Sequence, residues 1–246
     1  MRFRLQTLAA LLLGLTMGAA QAGATSEVAY ASLHGSAITF SELTDGASID
    51  GLLSSGGVLF GERFAGQELA VAKAPRPGAV AQDWFDDLSF GAPSAGLTLL
   101  AGVAGANLGA YNYGDADGTA LFGVGPQIGS ADGFGAISAR FASPVSALGF
   151  QLRDADGGAI TLNLYRTDGS LIQAVDLSGR GDGRYAFALA NGAADIAGFT
   201  LTNRDGYYGV AIDNLVLAAA VPEPASALLL LPGLLTLGIA ARRRGR

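Results

Sequence analysis

The sequence predicts an all-β protein, a two-sheet antiparallel β-sandwich of jelly-roll type, and three observations carry that expectation. Its 246 residues include 37 glycines while half are hydrophobic, which suits short apolar strands joined by tight turns. Wherever a period can be read it is two: Ile137, Ala139 and Phe141 alternate with Ser138 and Arg140, and Leu148, Phe150 and Leu152 with Gly149, Gln151 and Arg153. Ile160, Leu162 and Leu164 repeat the pattern, and turn signals separate these runs at intervals of roughly 8 to 12 residues, as in an antiparallel sandwich. The chain shows no heptad and no tandem repeat.

Taken from the start, residues 1–22 carry Arg2 and Arg4, an apolar run over 8–15 and then Ala20-Gln21-Ala22. These are the charged, hydrophobic and small-residue parts of an N-terminal signal helix, so the folded domain is expected over 23–220. Residues 27–32, 37–43 and 57–64 read as the first strands. Over 65–95 the period is lost, and Pro75, Pro77 and Pro93 mark an irregular excursion. Residues 101–133 read as a long glycine-rich loop with Tyr111 and Tyr113 and one short strand near Leu121. Loops of such length are uncommon unless they act. Further on, Asp154-Ala155-Asp156-Gly157-Gly158, Arg166-Thr167-Asp168-Gly169, Gly181-Asp182-Gly183 and Asn191-Gly192 supply residues that tolerate positive φ and so predict turns. The final strands are expected over 197–202 and 208–217. In the last one Val210 and Ile212 fall on one face and Leu215 and Leu217 on the other, which a bulge near Asp213 or burial on both faces explains.

Charge narrows the function. Six of the 15 basic residues and one of the 21 acidic ones lie in the two end segments, 1–22 and 221–246. The body keeps nine basic against 20 acidic residues, a formal charge of −11. Such a surface repels nucleic acid and anionic lipid and suits neutral glycans or cations. With no cysteine, thiol catalysis and thiolate metal sites are excluded.

The C-terminal end reads as an address. Val221-Pro222-Glu223-Pro224 precedes an apolar run over 225–241, which as a helix reaches roughly 25 Å and spans a bilayer with local thinning. Arg242, Arg243, Arg244 and Arg246 follow, and positive charge held in the cytoplasm turns the body outward. The Pro-Glu-Pro triplet, short transmembrane helix and arginine-rich end resemble the PEP-CTERM sorting signal of exported Gram-negative proteins. The resemblance implies recognition at Pro222, Glu223 and Pro224 by a membrane-embedded processing enzyme of exosortase type, an inner-membrane intermediate, and a final place at the cell surface or outside the cell, in extracellular polysaccharide or biofilm. A permanent single-pass anchor facing the periplasm would need the same helix and the same arginines.

Residues that could carry chemistry are few. His34, the lone histidine, follows the first strand, and the body holds no Gly-x-Ser-x-Gly elbow. The body's glutamates are Glu27, Glu42, Glu62 and Glu68. A glycan-active hydrolase would need two carboxylates facing across a sugar, and Glu42 and Glu62 are the ones expected on strands. Asp115-Ala116-Asp117-Gly118 and Asp154-Ala155-Asp156-Gly157 lack the further ligands of a calcium loop and read as tight turns. For glycan binding, Trp84-Phe85-Asp86-Asp87, Tyr111-Asn112-Tyr113 and Asn203-Arg204-Asp205-Gly206-Tyr207-Tyr208 set aromatic rings beside amides and carboxylates, with Trp84, Tyr207 and Tyr208 the chosen rings.

Finally, Ile38-Thr39-Phe40-Ser41-Glu42-Leu43 and Gly209-Val210-Ala211-Ile212-Asp213-Asn214-Leu215 resemble the first and last strands of jelly-roll carbohydrate-binding modules. That resemblance implies one structural calcium held by Glu42 and Asp213, with Asp45 a third ligand. Together these readings give a non-enzymatic surface or matrix protein as the expectation and a glycan hydrolase as the alternative.

Overall fold

The computed structural model describes residues 24–73, 84–126, 133–205 and 208–218. The expected signal helix, Pro75, Pro77, Tyr207 and the whole C-terminal segment from Val221 to the final arginines lie outside the described residues. Among the described residues no helix is long and apolar enough to cross a membrane.

The chain is almost entirely β. In order, the first strands are β1 (Thr25–Glu27), β2 (Ser48–Ile49), β3 (Leu53–Ser55), β4 (Val58–Gly61), β5 (Arg63–Phe64), β6 (Glu68–Lys73), β7 (Trp84–Phe90), β8 (Leu99–Leu100) and β9 (Leu108–Asn112). Then come β10 (Thr119–Gly123), β11 (Ile137–Val145), β12 (Ala147–Asp156), β13 (Ala159–Tyr165), β14 (Leu171–Asp176), β15 (Gly181–Leu189), β16 (Ile196–Arg204) and β17 (Ala211–Ala218). One 3-10 turn covers Tyr30–Ser32.

The last eight strands form a nested hairpin. β10 pairs with β17, β11 with β16, β12 with β15 and β13 with β14, all antiparallel. The hairpin is rolled into two layers because β12 also pairs with β17 and β13 with β16. A seven-stranded sheet results, in the order β1-β15-β12-β17-β10-β9-β2, and a six-stranded one, β14-β13-β16-β11-β4-β3. Two small hairpins, β5-β8 and β6-β7, stand apart from both.

Period-two patterning decides how the layers meet. Ile137, Leu162, Phe199 and Leu201 of the six-stranded sheet share one buried cluster with Leu121, Leu148, Phe150 and Ile212 of the seven-stranded sheet. Phe150 stacks on Phe199 with ring centroids 6.3 Å apart, so the inner faces touch there.

Several elements differ from the sequence reading. The first strand is Thr25–Glu27, which meets the expected 27–32 only at Glu27, and Ile38 contributes a single bridge to Leu215 where a strand over 37–43 was expected. The 57–64 strand is split at Glu62. The stretch from 65 to 95 contains the β6-β7 hairpin. Its prolines fall between the two strands and after the second, where their missing N–H groups cost the ladder nothing. β9 and β10 occupy part of the expected long loop: β10 is the short strand expected near Leu121, whereas β9 was not anticipated. Gly181-Asp182-Gly183 opens β15 instead of turning; the turn lies just before it, around Gly179. The bulge expected near Asp213 is present: two steps along β12, from Gly149 to Gln151, face three along β17, from Val216 to Asp213. Asn214 takes the left-handed conformation there, φ 48°.

Candidate functional site

The outer face of the seven-stranded sheet carries three zones, each set by which side chains the pleat turns outward. On the first, the segment around Tyr30 and Leu33 lies across β12. It fits because position 149 is glycine: a Cβ there would come within 2.8 to 2.9 Å of Leu33, Ala186 and Tyr30. The Tyr30 hydroxyl donates to the Asn214 carbonyl at 2.5 Å.

The second zone is polar. Outward residues Gln151 and Arg153 of β12 and Asp213 of β17 meet the loop after β9. Arg153 pairs with Asp115 and lies 3.5 Å from Asp117, which Arg184 also reaches at 3.0 Å and Gln151 at 3.0 Å. The hydrogen bond from Arg153 holds the exposed Asp115 carboxyl below its ordinary range. Asp115 Oδ1 also accepts from the backbone N–H groups of Asp117 and Gly118, which closes the turn. Thus the two Asp-Ala-Asp-Gly segments are brought to one place, either side of Arg153. Asp213 is 1% exposed, and burial pushes its carboxyl up to about 6.

The third zone is a cleft of about 400 Å³ lined by Tyr111, Tyr113, Phe122, Asp154, Tyr208 and Ala211, with Gly133 and Val210 at its edge. Each ring has a structural reason for its place. Phe122 faces outward from β10 and lies against Gly109, whose position admits no Cβ: one would sit 2.3 Å from the ring. Tyr113 packs on Ala120, Phe122, Val124 and Ala211, carries the Arg153 guanidinium 4.2 Å from its centroid and donates its hydroxyl to Asp154 Oδ2 at 2.6 Å. Burial and that bond to a carboxylate keep the Tyr113 phenol protonated far above its ordinary range. Tyr111 meets Tyr113 edge to face at 5.0 Å. Tyr111 is 49% exposed and Tyr208 65%.

Asp154 stands in the left-handed conformation, φ 57°, at a break in the β12–β15 register. The chain after it is fixed by carboxylates. Ala155 N–H donates to Asp182 at 2.8 Å, while the N–H groups of Asp156 and Gly158 donate to the buried Asp205 at 2.7 and 2.6 Å. The cleft carboxylate is therefore held rigidly on a strand end, and its strained backbone is offset by three hydrogen bonds.

Of the residues singled out for glycans, the structure joins Tyr208 to Tyr111 and Tyr113. Trp84-Phe85-Asp86-Asp87 lies in strand β7, not in a loop, and Phe85 and Asp86 are buried. Phe122 and Ala211 were not anticipated. Their signal was the apolar residue on both parities of 120–124 and 210–212, which points to an apolar outer face.

Of the expected calcium ligands, Glu42 and Asp45 are exposed and Asp213 is buried. Glu42 accepts from Ser55, Asp45 from the Asn112 N–H at 2.8 Å, and Asp213 from the Asn214 backbone and side chain at 2.6 and 3.1 Å. Among the described residues no group of three histidine, cysteine or acidic residues is placed to hold a metal ion, so these residues as they stand do not fit calcium. His34 is exposed. Glu62 is buried and bonded to Arg63, and its charge helps to raise Asp86. No protein-family model and no curated protein matches the chain.

Proposed function

We propose that this chain is an exported, non-enzymatic surface or extracellular-matrix protein that associates with extracellular polysaccharide through the cleft on its seven-stranded sheet. The observation that carries the reading is the convergence of Tyr111, Tyr113, Phe122 and Tyr208 around a single carboxylate, Asp154. Aromatic faces match the apolar faces of sugar rings, and a fixed carboxylate accepts from their hydroxyls. One carboxylate favours binding over turnover, because hydrolysis of a glycosidic bond uses two across the scissile oxygen. The nested pairing of β10 to β17 supports the jelly-roll reading of this sandwich, a scaffold that leaves one outer face free for such a cleft. The acidic body favours a neutral polymer.

The address completes the proposal. Pro222, Glu223 and Pro224 would present the processing site to an exosortase-type enzyme, and Arg242, Arg243 and Arg244 would hold the tail in the cytoplasm while the helix sits in the inner membrane. Intact mass of the protein recovered from cell surface and medium tests this. A chain that ends near the Pro-Glu-Pro triplet is the expected result. A mass running on to Arg246 would replace the matrix role with that of a permanent, periplasm-facing membrane protein.

A further inference from the structure

We propose that the cleft accepts an uncharged pyranose ring and rejects a uronate, with Tyr111 and Tyr208 as the stacking faces and Asp154 as the group that discriminates. The inference rests on the reading of the cleft as a polysaccharide site and adds the class of sugar. Tyr113 and Phe122 are packed into the outer apolar cluster, which leaves Tyr111 and Tyr208 as the rings with free area for a ligand. Asp154 Oδ2 is taken by the Tyr113 hydroxyl, whereas Oδ1 accepts no hydrogen bond among the described residues and is left for donors brought by the ligand. A sugar hydroxyl is such a donor; a sugar carboxylate is not.

The charges around the cleft point the same way. Among the described residues no lysine or arginine lines it. The nearest guanidinium, Arg153, is 8% exposed and committed to Asp115 and Asp117, and Arg184 is committed to Asp117. Asp182 adds a further negative charge within reach of Tyr113. A uronate seated on the rings would set its carboxylate beside Asp154 in a partly desolvated site with no free cation among the described residues, a repulsion worth roughly tenfold or more in affinity.

Calorimetric titration of the full-length chain at physiological salt, where long-range charge is screened beyond about 8 Å, would use two probe sets. One is neutral hexasaccharides built from glucose, galactose, mannose or N-acetylglucosamine; the other is hexasaccharides of guluronate and mannuronate. At least one neutral probe should bind at least about tenfold more tightly than either uronate. Tyr111→Ala and Tyr208→Ala should each weaken the neutral probe by about tenfold. Asp154→Asn should bring neutral and uronate affinities to within about threefold of each other. If neither probe set binds, the polysaccharide reading itself falls; if uronates bind and no neutral probe does, only the sugar class is wrong. If uronates bind the unaltered chain as tightly as neutral probes, if Asp154→Asn leaves the discrimination intact, or if the tyrosine variants bind unchanged, the sugar class assigned to this cleft is wrong while polysaccharide association stands.

Discussion

On the outer face of the six-stranded sheet, Ser138, Thr200 and Tyr165 lie beneath residues inserted between β4 and β9; on the outer face of the seven-stranded sheet, Tyr111 and Tyr208 stand open. The covered face is a closed hydrogen-bond chain. Ser138 Oγ donates to the Glu62 carbonyl at 2.9 Å and sits 2.8 Å from Thr200 Oγ1, while Gln67 bridges the Phe64 N–H at 3.0 Å and the Tyr165 hydroxyl at 2.9 Å. Phe64, Leu97 and Leu99 fill the remaining space against Tyr165. Covering that face buries two acids, Glu62 and Asp86, at 8% and 4% exposure. The open face avoids the burden of a second lid and keeps aromatic area available. The contrast shows that the same pleated surface is an internal layer or an exposed face according to what the intervening chain lays over it.

Both faces hang on one shared core, so the largest effect comes from breaking that core. Phe199 is fully buried and meets Phe141 of its own sheet at 6.1 Å and, across the gap between the sheets, Phe150 at 6.3 Å. Phe199→Ala should lower unfolding free energy by about 3–5 kcal/mol, read from urea denaturation, and should take cleft and covered face down in one transition. A loss under about 1 kcal/mol would mean that the sheets are not joined there.

The next effect separates the two faces by pH. Burial, and the neighbouring charge of Glu62, raise Asp86 from an ordinary 3.8 to about 7. Between these values the folded protein holds a proton that the unfolded chain has lost. The stability from this group is full below about pH 4 and falls with rising pH by about 1.4 kcal/mol per unit until about pH 7, roughly 4 kcal/mol in all. Glu62 is raised by its burial and adds in the same direction. On the open face Asp213 reaches only about 6, so its window closes earlier. Denaturation midpoints across pH should therefore show Asp86→Asn flattening the slope between pH 6 and 7 while a slope persists between 4 and 6. If the slope from 6 to 7 survives the substitution, Asp86 is not its source.

How much of this was legible in the sequence differs between the same two faces. The inner faces were readable because burial on one side writes period two into Ile137 to Leu164, and the bulge near Asp213 followed from the parity change at Leu215. The short strand near Leu121 was legible and is β10; β9 was not, because Gly109 looks like a loop signal when it is a seat for Phe122. β6 and β7 were hidden by prolines that flank strands as readily as they deny them. At the cleft, Tyr111, Tyr113 and Tyr208 stood out as rings beside polar residues. Asp154 was visible only as a turn, since its role depends on a tyrosine 41 positions away. Glu42, Asp45 and Asp213 share acidity but not surroundings: two are exposed, and the third is buried on its own partners.

The smallest effect on stability is the sharpest test of the open face. Tyr208 is 65% exposed and lines the cleft, and its backbone carbonyl accepts from the Gly133 N–H at 2.5 Å, a bond that does not use the ring. An exposed ring with little packing contributes little to folding, so Tyr208→Ala should move the denaturation midpoint by no more than about 0.5 kcal/mol. A ring kept exposed at that low structural value has its use in contact with something outside the chain, and the same variant should weaken the neutral oligosaccharide by about tenfold. The two measurements together distinguish the faces: a covered aromatic such as Phe64 is held by packing, whereas Tyr208 is, on the proposed function, the ring that meets the ligand. Should Tyr208→Ala instead cost about 2 kcal/mol or more of stability, the open face would also be a packing layer, and the division between a closed face and a binding face would fail at its clearest residue.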